Sequence, residues 1–387
     1  MNFLLGMGSV LALRQLGLIM VMPFIAIYGR DLAYSTPALI GLSLGIYGLS
    51  QAVFQIPFGN LSDKFGRKPM ILIGMFIFIL GLLMSYIATN VYVFILSRFL
   101  QGSGAIMAVA YAWVGDRIAG EQRNKAMSII GMLMGMSATI AFIGGPILYR
   151  WMDVPEMFLL CAVLTLIAWL FVAIFIEGDK RTVRSSKIAS GKNFKYYAKL
   201  IDHNLMKLVI AGFANNYLLV SVFYIVPILL EQSLGVDGLW KVFAPATIIS
   251  MFVMRIAARY ADAGYFRNVA MLAFAAITLG GLGYYTISSY MVGLGLVLFM
   301  IGYMCLVTLL PASVTKLSDT SNRGTVTGVF NTVQFIGSFI GGTLTGFLWG
   351  VNPIYSVTVL IVVAIVGIIA VSKVVESNSA TKSVPAV

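Results

Sequence analysis

Twelve apolar stretches follow one another along the chain, near residues 3–29, 37–61, 69–88, 91–115, 123–149, 155–177, 205–231, 238–261, 267–287, 290–315, 322–349 and 353–374. Each is long enough to cross the ~30 Å hydrocarbon layer of a bilayer as a helix. Hydrocarbon offers a backbone amide no partner, so such segments must satisfy their own hydrogen bonds. The expectation is an all-α integral membrane protein with twelve transmembrane helices. An even number of crossings puts both termini on one face. Composition agrees, with 60% hydrophobic residues, 10% charged residues and a mean hydropathy of +0.95, well outside the soluble class.

The formal net charge of +12 would suggest a nucleic-acid partner in a soluble protein. Here the basic residues gather in alternate connections. One set holds only Arg30, Arg150 and Lys241, whereas the other holds Lys64, Arg67, Lys68, Arg117, Arg123, Lys125, Arg259, Arg267, Lys316 and Arg323. The positive-inside rule then places both termini in the cytoplasm of a multi-pass protein of a bacterial inner or plasma membrane. No nucleic-acid partner is expected. The apolar run from Phe3 to about Tyr28 has no basic leader and is too long for a signal peptide, so it reads as the first span.

The chemistry of catalysis is sparsely represented. Cys161 and Cys305 both fall inside apolar runs and read as buried, reduced thiols, and His203 is the one histidine. Neither a phosphate-binding Gly-x-x-x-x-Gly-Lys loop nor a Ser/His/Asp set can be assembled. No catalytic residue, metal or cofactor is expected, and the chain does not read as an enzyme.

Between the second and third runs lies a charged hinge, Gly59-Asn60-Leu61-Ser62-Asp63-Lys64-Phe65-Gly66-Arg67-Lys68-Pro69. Gly66 suits a left-handed helix end, and Pro69 is preset for the first turn of the next helix. A weaker copy occurs at Arg259-Tyr260-Ala261-Asp262-Ala263-Gly264-Tyr265-Phe266-Arg267, which keeps the acid and a later arginine without an aligned Gly-Arg-Lys. Asn124-Lys125-Ala126-Met127 and Asn322-Arg323-Gly324-Thr325 form a second pair, each opening a glycine-rich run. Two related halves are thereby expected, and the recurring glycines of the fifth and eleventh runs suggest close packing between them. Residues 1–177 and 204–375 are the expected six-helix bundles, 178–203 a basic cytoplasmic linker and 376–387 a short cytoplasmic tail. Within the linker, residues 193–201 suit an amphipathic helix on anionic lipid.

The hinge spacing Gly59-x-Leu61-x-Asp63-x-x-Gly66-Arg67-Lys68 resembles the signature loop of the major facilitator superfamily of secondary transporters. Arg98-Phe99-Leu100-Gln101-Gly102-Ser103-Gly104-Ala105 resembles the helix 4 motif of its twelve-helix drug:proton antiporter branch, and Pro23, Tyr47 to Pro57 and Gln122 to Met127 resemble its YajR-like members. Gly145-Pro146 is similar to the antiporter motif of helix 5, with Tyr149-Arg150 where Gly-Gly follows in that motif. The resemblance implies two pseudo-symmetric bundles rocking about a central site. It also implies a conformational latch of Gly59, Asp63, Gly66, Arg67, Lys68, Asp116, Arg323 and Gly324. In it Asp63 faces the start of helix 11 and Arg67 pairs with Asp116. The implied function is secondary active transport of a small amphipathic molecule, proton-linked and outward, by a monomer in contact with membrane lipid. Some YajR-like proteins carry a soluble C-terminal domain; this sequence stops at Val387, and no such regulation is carried over.

Ionisable groups inside a membrane are costly and usually functional. Arg14 and Arg98 lie within the first and fourth runs, beside Gln15 and Gln101, whereas every Asp and Glu falls near a segment end. Cations without a midplane acid suit neutral or anionic ligands better than hydrophobic cations. Further substrate or coupling candidates are Tyr47, Gln51, Gln55, Tyr111, Asn215, Asn216 and Tyr217. Two other functions fit the same scaffold: flipping a lipid or lipid conjugate, and sensing a ligand without transport.

Overall fold

The computed structural model describes residues 3–118, 122–178, 202–286, 288–318 and 323–375, apart from the side chains of residues 123, 124, 128 and 323. Most of the linker with its segment 193–201, the tail 376–387 and the Arg323 side chain therefore lie outside the described residues. Twelve helices account for the spans: α1 (Phe3–Asp31), α2 (Pro37–Phe65), α3 (Arg67–Tyr86), α4 (Val91–Arg117), α5 (Gln122–Leu148), α6 (Val154–Phe175), α7 (His203–Leu234), α8 (Trp240–Tyr260), α9 (Phe266–Leu282), α10 (Ser289–Leu317), α11 (Arg323–Val351) and α12 (Pro353–Ser372). The chain divides into two compact units, parted between Ile188 and Ala189, with α1–α6 in one and α7–α12 in the other.

Each unit repeats one packing scheme. α1 lies against α5 and α6, α2 against α4, and α3 against α4 and α6 in the first unit. α7 lies against α11 and α12, α8 against α10, and α9 against α10 and α12 in the second. The two units are thus copies of one six-helix design. Helix starts are marked by side-chain caps that take up otherwise unpaired amides. Asn90 accepts from Val93 N at 2.9 Å, Asp202 from Leu205 N at 2.7 Å and Asn352 from Ile354 N at 2.9 Å, while Asp153 and Glu156 form a capping box at α6.

Three interruptions shape the helices. Pro23 sits in a 3₁₀ turn, Met22–Phe24, that divides α1, because proline removes a backbone donor and crowds the preceding turn. α4 breaks at residues 104–106, after the glycine-rich Gly102-Ser103-Gly104. α8 and α9 run on through a π-helical turn, Ala261–Tyr265, in which Gly264 has φ +97°. That value equals the φ of Gly66 between α2 and α3. The second hinge thus also holds a positive-φ glycine, two residues after its aspartate instead of three, but with ψ 10° where Gly66 has 154°, so the two turns differ in backbone geometry.

Gly145 of α5 and Gly337 and Gly341 of α11 each lie against a backbone carbonyl of the first helix of their own unit. A Cβ at Gly145 would stand 2.4 Å from Met20 O of α1, and one at Gly341 would stand 2.6 Å from Tyr217 O of α7. A methyl group at Gly131 would meet nothing within 4 Å. Gly145→Ala and Gly341→Ala are each expected to destabilise by ~1–3 kcal/mol through overpacking, and Gly131→Ala by much less. Thermal unfolding of the three purified variants in detergent checks this ordering.

Candidate functional site

The hinge is built around one arginine. Asp63 closes the last turns of α2, Gly66 (φ +97°, ψ 154°) reverses the chain, and Arg67 opens α3. Arg67 Nη1 lies 2.6 Å from Asp63 Oδ1 and donates to Ser62 Oγ at 2.5 Å, while its Nε donates to Asp116 Oδ2 on α4 at 2.9 Å. Lys68 Nζ donates to the Ala173 carbonyl near the end of α6 at 2.8 Å, where the helix dipole favours a cation. Arg117 donates to the Glu177 carbonyl and lies over the rings of Phe3 and Trp113. Five of the described helices, α1, α2, α3, α4 and α6, thereby meet at one end of the unit. Asp116 is 48% exposed, so its pairing with Arg67 contributes ~0.2–1 kcal/mol. The half-buried Gly59 leaves its surroundings open, as does Gly324 at the start of α11.

Deeper in the first unit two arginines are buried. Arg14 is 3% exposed; its Nη2 donates to Gly104 O at 3.1 Å, Gln51 Oε1 at 3.3 Å and Tyr47 Oη at 3.4 Å. Its guanidinium also lies 4.8 Å from the Phe78 ring centroid. Arg98 is 2% exposed, donates to Gln101 Oε1 at 2.5 Å and to Ser43 O at 3.4 Å, and faces the Tyr47 ring at 5.4 Å. Gln101 Nε2 donates in turn to Ser85 Oγ and Gly81 O, and Ser85 shares a hydrogen bond with Ser97. Tyr47 thus touches both cations. A charged side chain at bilayer centre costs ~2.5–3.5 kcal/mol on insertion scales, and these neutral acceptors offset it.

Gln101 lies beside Arg98, but Gln15 is not among the partners of Arg14. The break in α4 supplies Gly104 O instead, a carbonyl that accepts from Ile106 N at 2.9 Å and, with its second lone pair, from Arg14. Gly102-Ser103-Gly104 was the signal in the sequence that could have located this acceptor. Nothing comparable marked Ser43, Ser85 or the Phe78 ring. Gln55 is buried with Oε1 unpartnered, and Tyr111 Oη donates to Met134 Sδ on α5 at 3.7 Å.

The candidates on α7 divide differently. Asn215 is fully buried with neither side-chain polar atom hydrogen-bonded, Asn216 makes only a long 3.5 Å bond to Gly212 O of its own helix, and Tyr217 is buried against α11. Nearby, Thr345 Oγ1 donates to Ser221 Oγ at 2.8 Å and Ser356 Oγ to Thr345 O at 2.9 Å, linking α7, α11 and α12. Arg255 is exposed on α8. Among the described residues no group of three or more His, Cys, Asp or Glu side chains is placed to hold a metal, and both cysteines are buried and free.

A twelve-helix membrane protein in two repeated units, with polar side chains buried inside each, has the architecture of a secondary transporter. Residues 7–342 match the Major Facilitator Superfamily, and the chain belongs to that family. It is 32% identical over 349 residues to the inner membrane transport protein YajR of Escherichia coli (strain K12), covering 89% of this chain and 77% of that protein. It is 26% identical over 361 residues to the multidrug resistance protein MdtH of Aeromonas hydrophila, covering 90% and 86%. A crystal structure of a bacterial homologue of the human lysosomal transporter Spinster, inward-facing and unoccupied, is similar in fold with a TM-score of 0.75 at 14% identity, over 95% of each chain.

Within the first unit, Gln101 supports more than its own helix. Gln101→Leu is expected to lower stability by ~1.5–3 kcal/mol, because it strips a charge-assisted bond from Arg98 and two from Ser85 and Gly81. Asn216→Ala is expected to change it by less than ~0.5 kcal/mol. Melting temperatures of the two purified variants test the contrast.

Proposed function

We propose that this transporter exports a small amphipathic molecule across the cell membrane by alternating access, coupled to proton entry, with both termini in the cytoplasm. In this reading residues 1–177 and 204–375 are the moving bundles, joined by the 178–203 linker and followed by the 376–387 tail. Arg67, gripped by Asp63, Ser62 and Asp116 at the α2–α3 turn, is the observation that carries the proposal. A loop that only reversed the chain would need Gly66 but not a clasp of two carboxylates and a hydroxyl on one guanidinium.

Asp63 is proposed to dock on the amide end of α11, at Arg323-Gly324, in one conformational state. A carboxylate at a helix N-terminus gains ~0.3–1 kcal/mol when exposed and ~2 kcal/mol when partly buried, enough to bias two states of similar energy without locking either. Arg67 sets the orientation of Asp63 and connects it to Asp116, so the charge distribution at the turn biases the two states. The outward direction is supported by similarity to MdtH, a multidrug resistance protein. Proton coupling and a monomeric state follow from family resemblance, and the coupling residue is not assigned. Arg14 and Arg98, together with Gln15, Tyr47, Gln51, Gln55, Gln101 and Tyr111, form the proposed substrate surface of the first unit, with Asn215, Asn216 and Tyr217 on the second.

Asp63→Asn is expected to reduce proton-gradient-driven flux at least ~10-fold while leaving membrane insertion and folding intact. Proteoliposome flux beside detergent gel filtration checks both. Undiminished flux by the folded variant contradicts the latch. Movement of a phospholipid analogue indicates a flippase, and ligand binding without flux indicates a sensor.

A further inference from the structure

The export reading leaves the charge of the cargo open, and an assignment of that charge rests on export itself being correct. Arg14 and Arg98 are both nearly fully buried in the α1–α2–α4 core, and arginine stays protonated in protein interiors. Every partner either one has is neutral: Tyr47, Gln51, Gly104 O and the Phe78 ring for Arg14, and Gln101, Ser43 O and the Tyr47 ring for Arg98. Among the described residues, no carboxylate is paired with either cation. Of the described acids of the unit, Asp63 and Asp116 pair with Arg67, Asp153 and Glu156 form the box at the start of α6, and Asp31 and Glu177 are exposed.

The second observation concerns donors that are still unused. Arg14 Nε and Gln51 Nε2 are both buried and without a hydrogen-bond partner. Because Arg14 can only donate, its 3.3 Å contact requires the carbonyl end of Gln51 to face it. The amide NH₂ is therefore the free end, held beside the guanidinium. Gln101 next to Arg98 behaves otherwise, since its NH₂ is taken up by Ser85 and Gly81 O. Buried donors without acceptors are rare and call for an explanation. A cluster serving packing alone would close on itself, as the Arg98 cluster does.

We propose that Arg14 and the adjacent Gln51 bind an anionic oxygen group of the cargo, so that the exported molecule is an amphipathic organic anion such as a carboxylate. A carboxylate oxygen accepts from both free donors at once and neutralises a charge that no protein acid neutralises. Arg98 adds a fixed positive field through Tyr47, whose hydroxyl meets Arg14 and whose ring meets Arg98. A planar guanidinium is well matched to a carboxylate or phosphate, so an acidic phospholipid headgroup shares this chemistry with a soluble acid.

The test uses the full chain and three probes of matched shape: 1-naphthylacetate, 1-naphthylacetamide and 1-naphthylethylamine. Binding is read by equilibrium dialysis of the purified protein, and flux in phosphatidylcholine proteoliposomes with an imposed pH gradient. The wild-type protein is expected to bind the anion about tenfold or more tightly than the amide or the amine. Arg14→Gln should bring the three to within about threefold, Arg14→Lys should keep part of the preference, and Gln51→Leu should weaken the anion alone. Equal binding, or preference for the amine, in the wild type overturns the proposal, as does an unchanged preference in folded Arg14→Gln. If Arg14→Gln does not fold, the wild-type order and Gln51→Leu decide. Competition by added phosphatidylglycerol that disappears with Gln51→Leu identifies a lipid headgroup as an occupant of the site, and its absence identifies a soluble anion. Asp63-dependent flux of the amine would retain the exporter and remove the anion site. Anion preference with no flux of any probe would retain the site and remove the exporter.

Discussion

Hydrocarbon cannot hydrogen-bond, and the polar architecture of this chain follows from that single fact. Backbone groups are satisfied by helices, and where a helix begins, side chains such as Asn90, Asp202 and Asn352 complete the bonding. Asp153, Glu156 and Asp202 act as caps there, and Asp63 and Asp116 as ion-pair partners. The two arginines that lie deep in the first unit survive because Gln51, Gln101, Tyr47 and the backbone carbonyls of Ser43 and Gly104 surround them. Removing the break would take away the acceptor nearest Arg14. A feature that looks like a defect in α4 is thus a condition for placing a cation beside it.

The two units share a packing scheme but differ in electrostatic detail. Both use a glycine at φ +97° between their second and third helices, Gly66 in one and Gly264 in the other. Only the first follows that glycine directly with Arg67-Lys68, and there two carboxylates meet on one guanidinium. A positive-φ glycine recurs in both copies, with ψ 154° at Gly66 and 10° at Gly264, while the Gly-Arg-Lys sequence behind the ionic clasp belongs to one. In the proposed mechanism this asymmetry puts the controlling charges on the first unit, and the second unit follows.

Much of the fold was legible because its causes are local. Runs of apolar residues, Pro and Gly punctuation and the bias of Lys and Arg between connections define twelve spans without any tertiary information. The hinge was legible for the same reason, since its residues are contiguous. The surroundings of Arg14 were not. Its partners come from positions 47, 51 and 104, and the adjacent Gln15, the natural guess from spacing, is not one of them. The positive φ of Gly264 was not legible for a related reason: one residue fewer between acid and glycine obscures the match, and the chain passes that point in a π-helical turn with ψ 10°.

The central claim is that two rigid units exchange between states and that Asp63 sets the balance. Spin labels at Gln122→Cys on α5 and Met206→Cys on α7, both at exposed positions, report the separation of the units by pulsed dipolar spectroscopy in proteoliposomes, with the buried Cys161 and Cys305 left unlabelled. The account predicts two distance populations in the otherwise unaltered protein and a clear transfer of weight between them when Asp63→Asn is added. One unchanging distribution in both proteins would contradict it.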